Sequence, residues 1–418
     1  MHRLRLYRKM ATVSVAMTAL VMVFAIGYIF GAHQPSTAVQ AQTGSSGTDE
    51  LFAPFWETWT LLHDNYVDSM DDTALMEGAL NGMLDSLGDP HTGYMTPDTF
   101  AQINESMSGE YEGIGATVRT DESTGGLYLV TIMDGSPAQA AGLMPGDVIV
   151  EVEGEDITGL DQNEIIAQVR GPAGTTVDLG IKRPSETDLL DVEVARERIT
   201  VASVAYRVLD GDIGYVRLSQ FEFSSSQELR DALEAMDANH LKGLVLDVRG
   251  NPGGYLTTSI EVASAFMQQG TVVIERGPER ERTYDALENA IAPDVPMVVL
   301  VDAGSASASE LIAGALQDNH RATIVGTKTF GKGSVQTWHS LSNGGGVRIT
   351  VSRWYTPGGR SVSEVGIDPD VIVPFEIEAG EVYDPATMPD PQLEAALTIL
   401  RSGEPVQPSV AEPDAVAQ

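Results

Sequence analysis

Three runs of consecutive apolar residues set the fold class. "GLVLDV" (243–248), "PMVVLVD" (296–302) and "ATIVG" (322–326) lack the apolar–polar alternation of a half-solvated strand. A strand that is apolar on both sides must be covered on both sides, as in a parallel sheet with helices on each face. Segments of helical period separate the runs: "YLTTSIEVASAFMQQG" after the first and "ELIAGALQDN" before the third. Strand and helix alternate, so residues 188–380 read as an α/β core on a largely parallel sheet. A chain of 418 residues has room for more than this unit.

The flanks differ in kind. Residues 1–33 begin "MHRLRLYRK" and continue as an uncharged apolar run, long enough to cross a bilayer, with a basic flank that would keep the N-terminus in the cytoplasm. Two readings stay open: an uncleaved anchor, and a cleaved signal peptide ending at "AVQA". Both export the rest of the chain and predict an extracytoplasmic protein, periplasmic or cell-envelope, tied to the membrane through this segment if it is retained. Residues 34–48 are a polar linker. Residues 49–110 carry a helical period ("TALMEGALNGMLDSLG") and read as a small helical domain. Residues 381–418 hold one more amphipathic helix and a tail without apolar period, read as disordered.

Sixty acidic against 25 basic residues give a net charge of −35, which repels phosphate backbones and makes nucleic acid an unsuitable partner. Cysteine is absent, so there is no thiol nucleophile. The seven histidines form no HExxH pair, and neither a metal nor a cofactor is expected.

Residues 111–187 change character. Strand-like "YEGIGATV" and "LYLVTIM" precede "GSPAQAAGLMPGD", a turn, a short helix, a glycine stop and a Gly-Asp turn. These stretches resemble a PDZ domain. In "GIGA", Gly113, Ile114, Gly115 and Ala116 would aim backbone N–H groups into one concavity able to hold a carboxylate. The helix "DQNEIIAQVRG" would form the other wall, with Ile165, Ile166 and Val169 as its apolar positions.

In α/β sheets, ligands sit beyond the carboxyl ends of strands. Two loops qualify: "RGNPGG" (249–254) after the first apolar run and "GSASASE" (304–310) after the second. "GNPGG" imitates the "GNSGG" of chymotrypsin-like proteases, but Pro252 stands in the serine's place, so that class is rejected. Ser305, Ser307 and Ser309 occupy alternate positions of the second loop. Ser309 could be an N-cap or first-turn residue of the following helix without any chemistry. His320 lies at the far end of that helix, well over about 10 Å away, and cannot serve as base. Lys332, between Gly331 and Gly333, sits where an amine could be desolvated.

Together these residues resemble the carboxyl-terminal processing proteases, a Ser–Lys peptidase family. The resemblance rests on "GSASASELIAGALQDNHRATIVGTKTFGKGSVQ", "SLGDPHTGYM", the PDZ segment, "RGNPGG" and "WYTPGGRSVSEVGIDPDV". It implies a crotonase-like protease core behind the PDZ domain. It also implies Ser307 as nucleophile, Lys332 as base 25 positions on, and Gln336 orienting the lysine. Ala308 with Gly253 or Gly254 would form the oxyanion hole, and Arg170 would sense substrate. The implied activity is cleavage of protein substrates with disordered C-terminal tails, by a chain that could self-associate or use an adaptor protein. The alternative is an inactive PDZ scaffold. A free lysine titrates near about 10.4, so neutrality near pH 7 requires roughly 4.6 kcal/mol of environment.

Overall fold

The computed structural model describes residues 46–375 and 389–402. The apolar N-terminal run, most of the linker and the final tail lie outside them. Among the described residues no helix is long and apolar enough to cross a membrane. The chain divides into two compact units, Met1–Met76 and Glu77–Gln418.

In the first unit, helix α1 (Ser46–Asn65) carries Asp49 in its first turn and His63 in its last, both matched to the helix dipole. Helix α2 (Asp72–Asp85) leads into the second unit. There the chain forms β1 (Gly93–Met95), α3 (Pro97–Ser108) and β2 (Glu110–Gly113). Helix α3 starts with the Thr96 hydroxyl accepting from Thr99 N–H and stops at Gly109 in the left-handed conformation (φ 71°).

The PDZ-like segment comprises β3 (Ala116–Thr120), β4 (Leu127–Ile132), α4 (Pro137–Ala140), β5 (Val148–Val152), β6 (Glu155–Asp156), α5 (Gln162–Val169), β7 (Thr176–Lys182) and β8 (Leu190–Ala195). Its antiparallel sheet runs β3-β4-β5-β7-β8. Leu129, Ile149, Ile157, Ile165, Leu179 and Ile181 form a core of its own. Strand β9 (Glu197–Thr200) then pairs with β2, Glu110 opposite Thr200 and Gly113 opposite Glu197, so one antiparallel ribbon brackets the entry to and exit from this segment.

The α/β core follows with β10 (Val204–Leu209), β11 (Ile213–Leu218), α6 (Ser225–Ala235), β12 (Gly243–Asp247), α7 (Leu256–Ser264), β13 (Thr271–Arg276), β14 (Glu281–Asp285), β15 (Met297–Val301), α8 (Ala308–Asp318), β16 (Thr323–Gly326), β17 (Ser334–Ser340), β18 (Gly346–Tyr355), β19 (Val371–Ile372) and α9 (Pro391–Ser402). The main sheet has the order β10-β11-β12-β15-β16-β19, parallel from β11 onward. A second, antiparallel sheet joins β1, β18, β13 and β14, with β17 also on β18.

The double burial demanded by the apolar runs is met. Leu244, Leu246, Val299 and Val301 face α6, α7 and α8. Val245, Val298, Leu300 and Val325 face the other way, onto Ala396, Leu397 and Ile399 of α9. The helix in the C-terminal segment thus covers the sheet's second face. A buried ionic network ties it there: the Arg249 guanidinium donates to Asp247 (2.6 and 2.9 Å) and Asp390 (2.8 and 3.0 Å), and the Tyr215 hydroxyl donates to Asp247 (2.7 Å).

Candidate active site

Strands β12 and β15 pair in parallel register, Leu244 with Met297 through Asp247 with Leu300. The loops at their carboxyl ends therefore lie side by side, and buried Asn251 fastens them together. Its carbonyl accepts from Ala306 N–H (3.0 Å) and the Ser309 hydroxyl (2.9 Å). Its side chain donates to Leu218 C=O (2.8 Å) and accepts from Gly253 N–H (2.9 Å).

The three serines have separate fates. Ser305 is fully buried and donates to Val248 C=O at 2.8 Å. Ser309 is fully buried and spends its hydroxyl on Asn251. Ser307 alone is partly exposed, and it lines a cleft of about 660 Å³ together with Gly253, Gly254, Ala308, Lys332 and Gln336. Ser307 has φ 53° and ψ −110°, a backbone conformation that costs a non-glycine residue about 1–3 kcal/mol and clusters at functional sites. It stands at the head of α8, where unpaired N–H groups and the helix dipole favour developing negative charge.

A buried carboxylate holds that strained residue. Glu310, fully buried, accepts from Ser307 N–H (2.8 Å) and Lys332 N–H (2.9 Å) with one oxygen. The other accepts from the Thr329 hydroxyl and Gly331 N–H (both 2.6 Å). One side chain thus fixes the backbones of both reactive candidates. The sequence reading gave Glu310 no role, although Ser-Xaa-Xaa-Glu at 307–310 has the spacing of a capping box.

Of the oxyanion-hole candidates, Ala308 and Gly254 have N–H groups with no hydrogen-bond acceptor among the described residues, whereas Gly253 N–H is committed to Asn251. Gly253 contributes closeness instead. At φ 104°, a Cβ there would lie 2.8 Å from Ser307 Cβ and 3.0 Å from Ala308 N, so only glycine fits.

Lys332 is half-buried, and its ammonium pKa is pushed down. Burial is the main cause, and repulsion from Arg348 adds to it, while Glu310 acts in the opposite direction. Gln336 donates from Nε2 to the Ser334 hydroxyl (2.7 Å) and the Thr350 hydroxyl (3.4 Å); no hydrogen bond joins it to Lys332 among the described residues. Behind it stands the "DPHT" segment. Thr92 donates to Asp89 (2.6 Å) and accepts from Thr350 N–H (3.0 Å), and Arg348 donates to His91 C=O (2.6 Å). Burial works against the Asp89 carboxylate, but hydrogen bonds from Thr350, Thr92 and His91 N–H hold its pKa at about 2.

The PDZ groove is smaller, about 90 Å³, lined by Ile114, Gly115 and Ala116 on one side and Ile166, Val169 and Arg170 on the other. Gly113 is absent from its lining because it belongs to the β2–β9 ribbon. Ile165, expected in the wall, is packed inside the PDZ-like core. Arg170 pairs with Glu105 at 3.3 Å and lies over the Tyr111 ring at 4.7 Å. Burial pushes the Tyr111 phenol pKa up, against the Arg170 charge and the nearby Ala116 and Gly115 N–H groups, and its hydroxyl donates to Met133 Sδ at 3.9 Å. A phenol oxygen thus stands near the N–H groups on which a carboxylate was expected.

Residues 212–373 match peptidase family S41, residues 102–182 the PDZ domain, and residues 17–99 the activating protease CtpB N-terminal domain. A carboxy-terminal-processing protease of Bartonella bacilliformis is 40% identical over 348 residues, 81% of this chain and 79% of the relative. Carboxy-terminal processing protease CtpB of Bacillus subtilis is 34% identical over 81% of this chain and 72% of its own. Among solved structures, a Bacteroides fragilis chain assigned to the S41 proteases shares the fold, with TM-score 0.52 and 18% identity, covering 82% of this chain and 94% of that one. Identity of this extent across the PDZ segment and the core settles the family: the chain belongs to the carboxy-terminal processing proteases of peptidase family S41 and is a serine-type peptidase.

Proposed function

We propose that Ser307 is the nucleophile and neutral Lys332 its base. The convergence of Ser307, Lys332 and two uncommitted N–H groups on one cleft carries this reading. Ser307 Oγ attacks the scissile carbonyl carbon while Lys332 Nζ takes the hydroxyl proton. The carbonyl oxygen becomes an oxyanion that receives hydrogen bonds from Ala308 N–H and Gly254 N–H. As the tetrahedral intermediate collapses, the C–N bond breaks and the Lys332 ammonium returns its proton to the leaving amine. Water then enters, Lys332 deprotonates it, and hydrolysis of the acyl-serine restores the enzyme.

Gln336 anchors the lysine's surroundings: its amide nitrogen is held by Ser334 and Thr350, which leaves its oxygen to accept from the Lys332 ammonium. The substrates are proteins with disordered C-terminal tails, captured as an added strand beside Ile114–Ala116 with Arg170 near the terminal carboxylate. Residues 1–33 export the protein and hold it at the membrane, so the substrates are extracytoplasmic, and the catalytic unit has the crotonase-like arrangement.

The test is single-turnover cleavage of a protein with a disordered tail. Ser307→Ala is expected to abolish it while Ser305→Ala and Ser309→Ala retain activity. Cleavage by Ser307→Ala at the parent rate would overturn the assignment.

A further inference from the structure

Between the PDZ groove and the cleft lies a third cavity, of about 790 Å³. It shares Tyr111, Ile166 and Arg170 with the groove and Gln220 with the cleft. An extended tail anchored in the groove and reaching Ser307 would pass through it. In its wall stands Glu222, 6% exposed, whose Oε2 has no hydrogen-bond partner and is the sole buried side-chain polar atom in that state among the described residues.

Nothing among the described residues explains an unpartnered carboxylate there. The loop's own needs are met by other groups: Glu222 N–H donates to the Ser225 hydroxyl (2.8 Å), and Phe221 bonds the "NPGG" loop through Gly253 C=O and Tyr255 N–H (both 2.9 Å). Glu228, the nearest acid behind it, is committed to Ser203, Val204 and Ser224. Space for the carboxylate is kept by Gly109, whose φ of 71° suits glycine and where any Cβ would collide with Glu222 Oε2. A buried, unpaired carboxylate is costly unless a partner arrives. The other charges facing the cavity are Glu105, Glu110 and Arg170. Arg170 is already paired with Glu105, so the cavity favours a cation.

We propose that Glu222 forms a specificity subsite for a basic side chain, lysine or arginine, of the substrate tail, lying between the residues held in the PDZ groove and the scissile bond. Phe221, its neighbour in the chain, bonds the loop that supplies the oxyanion donor, so occupancy of the subsite is felt one residue from the cleft. Burial and the Glu228 charge raise the Glu222 pKa to about 7, so the carboxylate is half-protonated near neutrality and is drawn into its ionised form by a bound cation.

This inference rests on the proposed path from groove to Ser307, and its test keeps the two apart. The full chain is given a disordered tail with only neutral residues near its end, and a set of tails with one lysine at successive positions. Cleavage of the neutral tail, and its loss in Ser307→Ala, reports on the catalytic assignment alone. For the subsite, lysine at one position should raise kcat/KM about tenfold to a hundredfold over norleucine at that position, the worth of one charge-assisted hydrogen bond. Arginine there should do the same. The ratio should fall toward one as pH drops below about 7, because a protonated Glu222 no longer attracts the cation. That measurement needs no variant and stands even if substitution impairs folding. Glu222→Gln should bring the lysine-to-norleucine ratio close to one at every pH. A flat scan in an active enzyme, a pH-independent ratio, or a ratio that persists in Glu222→Gln would overturn the proposal.

Discussion

The active-site cleft and the PDZ groove handle polar groups in opposite ways. In the cleft, the groups that position Ser307 and Lys332 are buried and committed. Glu310 receives four hydrogen bonds, and Asn251 closes the gap between two loops. The donors meant for the oxyanion are left open. In the groove, the Tyr111 oxygen stands near the Gly115 and Ala116 N–H groups, and Arg170 is paired with Glu105. On the proposed roles, the cleft is ready for a transition state, while Arg170 in the groove must leave Glu105 before it can meet a tail. Preorganised electrostatics favours catalysis, whereas an exchange of partners favours sensing.

The largest effect that separates the two regions comes from the base. Lys332→Arg keeps a cation of similar length but cannot become neutral. We expect kcat/KM to fall by at least about 10³-fold, with tail binding intact by fluorescence anisotropy. Activity within tenfold of the parent would remove lysine from the mechanism. Glu310→Gln comes next. The amide has one oxygen where four donors converge, and its NH₂ turns toward N–H groups. Each lost charged hydrogen bond costs about 1.5–3 kcal/mol, so a fall of about 10²-fold in kcat and a lower Tm are expected. A drop in Tm with kcat unchanged would reduce Glu310 to a stability element.

The third effect is a displacement along the pH axis. The base must be neutral, so activity rises as pH climbs through the Lys332 pKa. Burial lowers that pKa first and Arg348 second. Arg348→Gln removes the repulsion while retaining a donor for His91 C=O. The Lys332 pKa should rise and the acid limb of the kcat/KM profile should move to higher pH, with the rate recovered on the alkaline side. An unmoved limb would mean that the limb belongs to another group.

The sequence displayed what is local or periodic. Apolar runs announced a largely parallel sheet covered on both faces, but its order, β10-β11-β12-β15-β16-β19, is set by the fold. Small residues at two strand ends located the cleft, and motif spacing marked Ser307 and Lys332. Two kinds of feature stayed hidden. Glu310 was given no role because its bonds to Thr329, Gly331 and Lys332 span a loop whose path only the fold sets. Thr92 and Thr350 meet across 258 positions, and nothing in either segment's composition points to the other. The "GIGA" segment was legible as a run of N–H groups, but the Tyr111 ring in the lining beside it was not. A tyrosine two residues before Gly113 carries no periodic signal that tells a core ring from a plug.

The smallest effect tests that plug. The Tyr111 oxygen stands near the Gly115 and Ala116 N–H groups, and an incoming carboxylate would approach the same donors. Tyr111→Phe leaves the ring, its stacking with Arg170 and its packing on Gly113, and removes only the competing oxygen. The N–H groups then have no phenol oxygen beside them, and a carboxylate approaches them without a rival. A neutral hydrogen bond is worth about 0.5–1.5 kcal/mol net, so KM for a free-acid tail should fall by about twofold to tenfold with little change in kcat. A tail ending in a C-terminal amide competes poorly for those donors, and its KM should move less. If Tyr111→Phe raised KM for the acid, the phenol would be a contact to the tail rather than its rival. The groove would then resemble the cleft, a preorganised site, and its contrast with the cleft would fail.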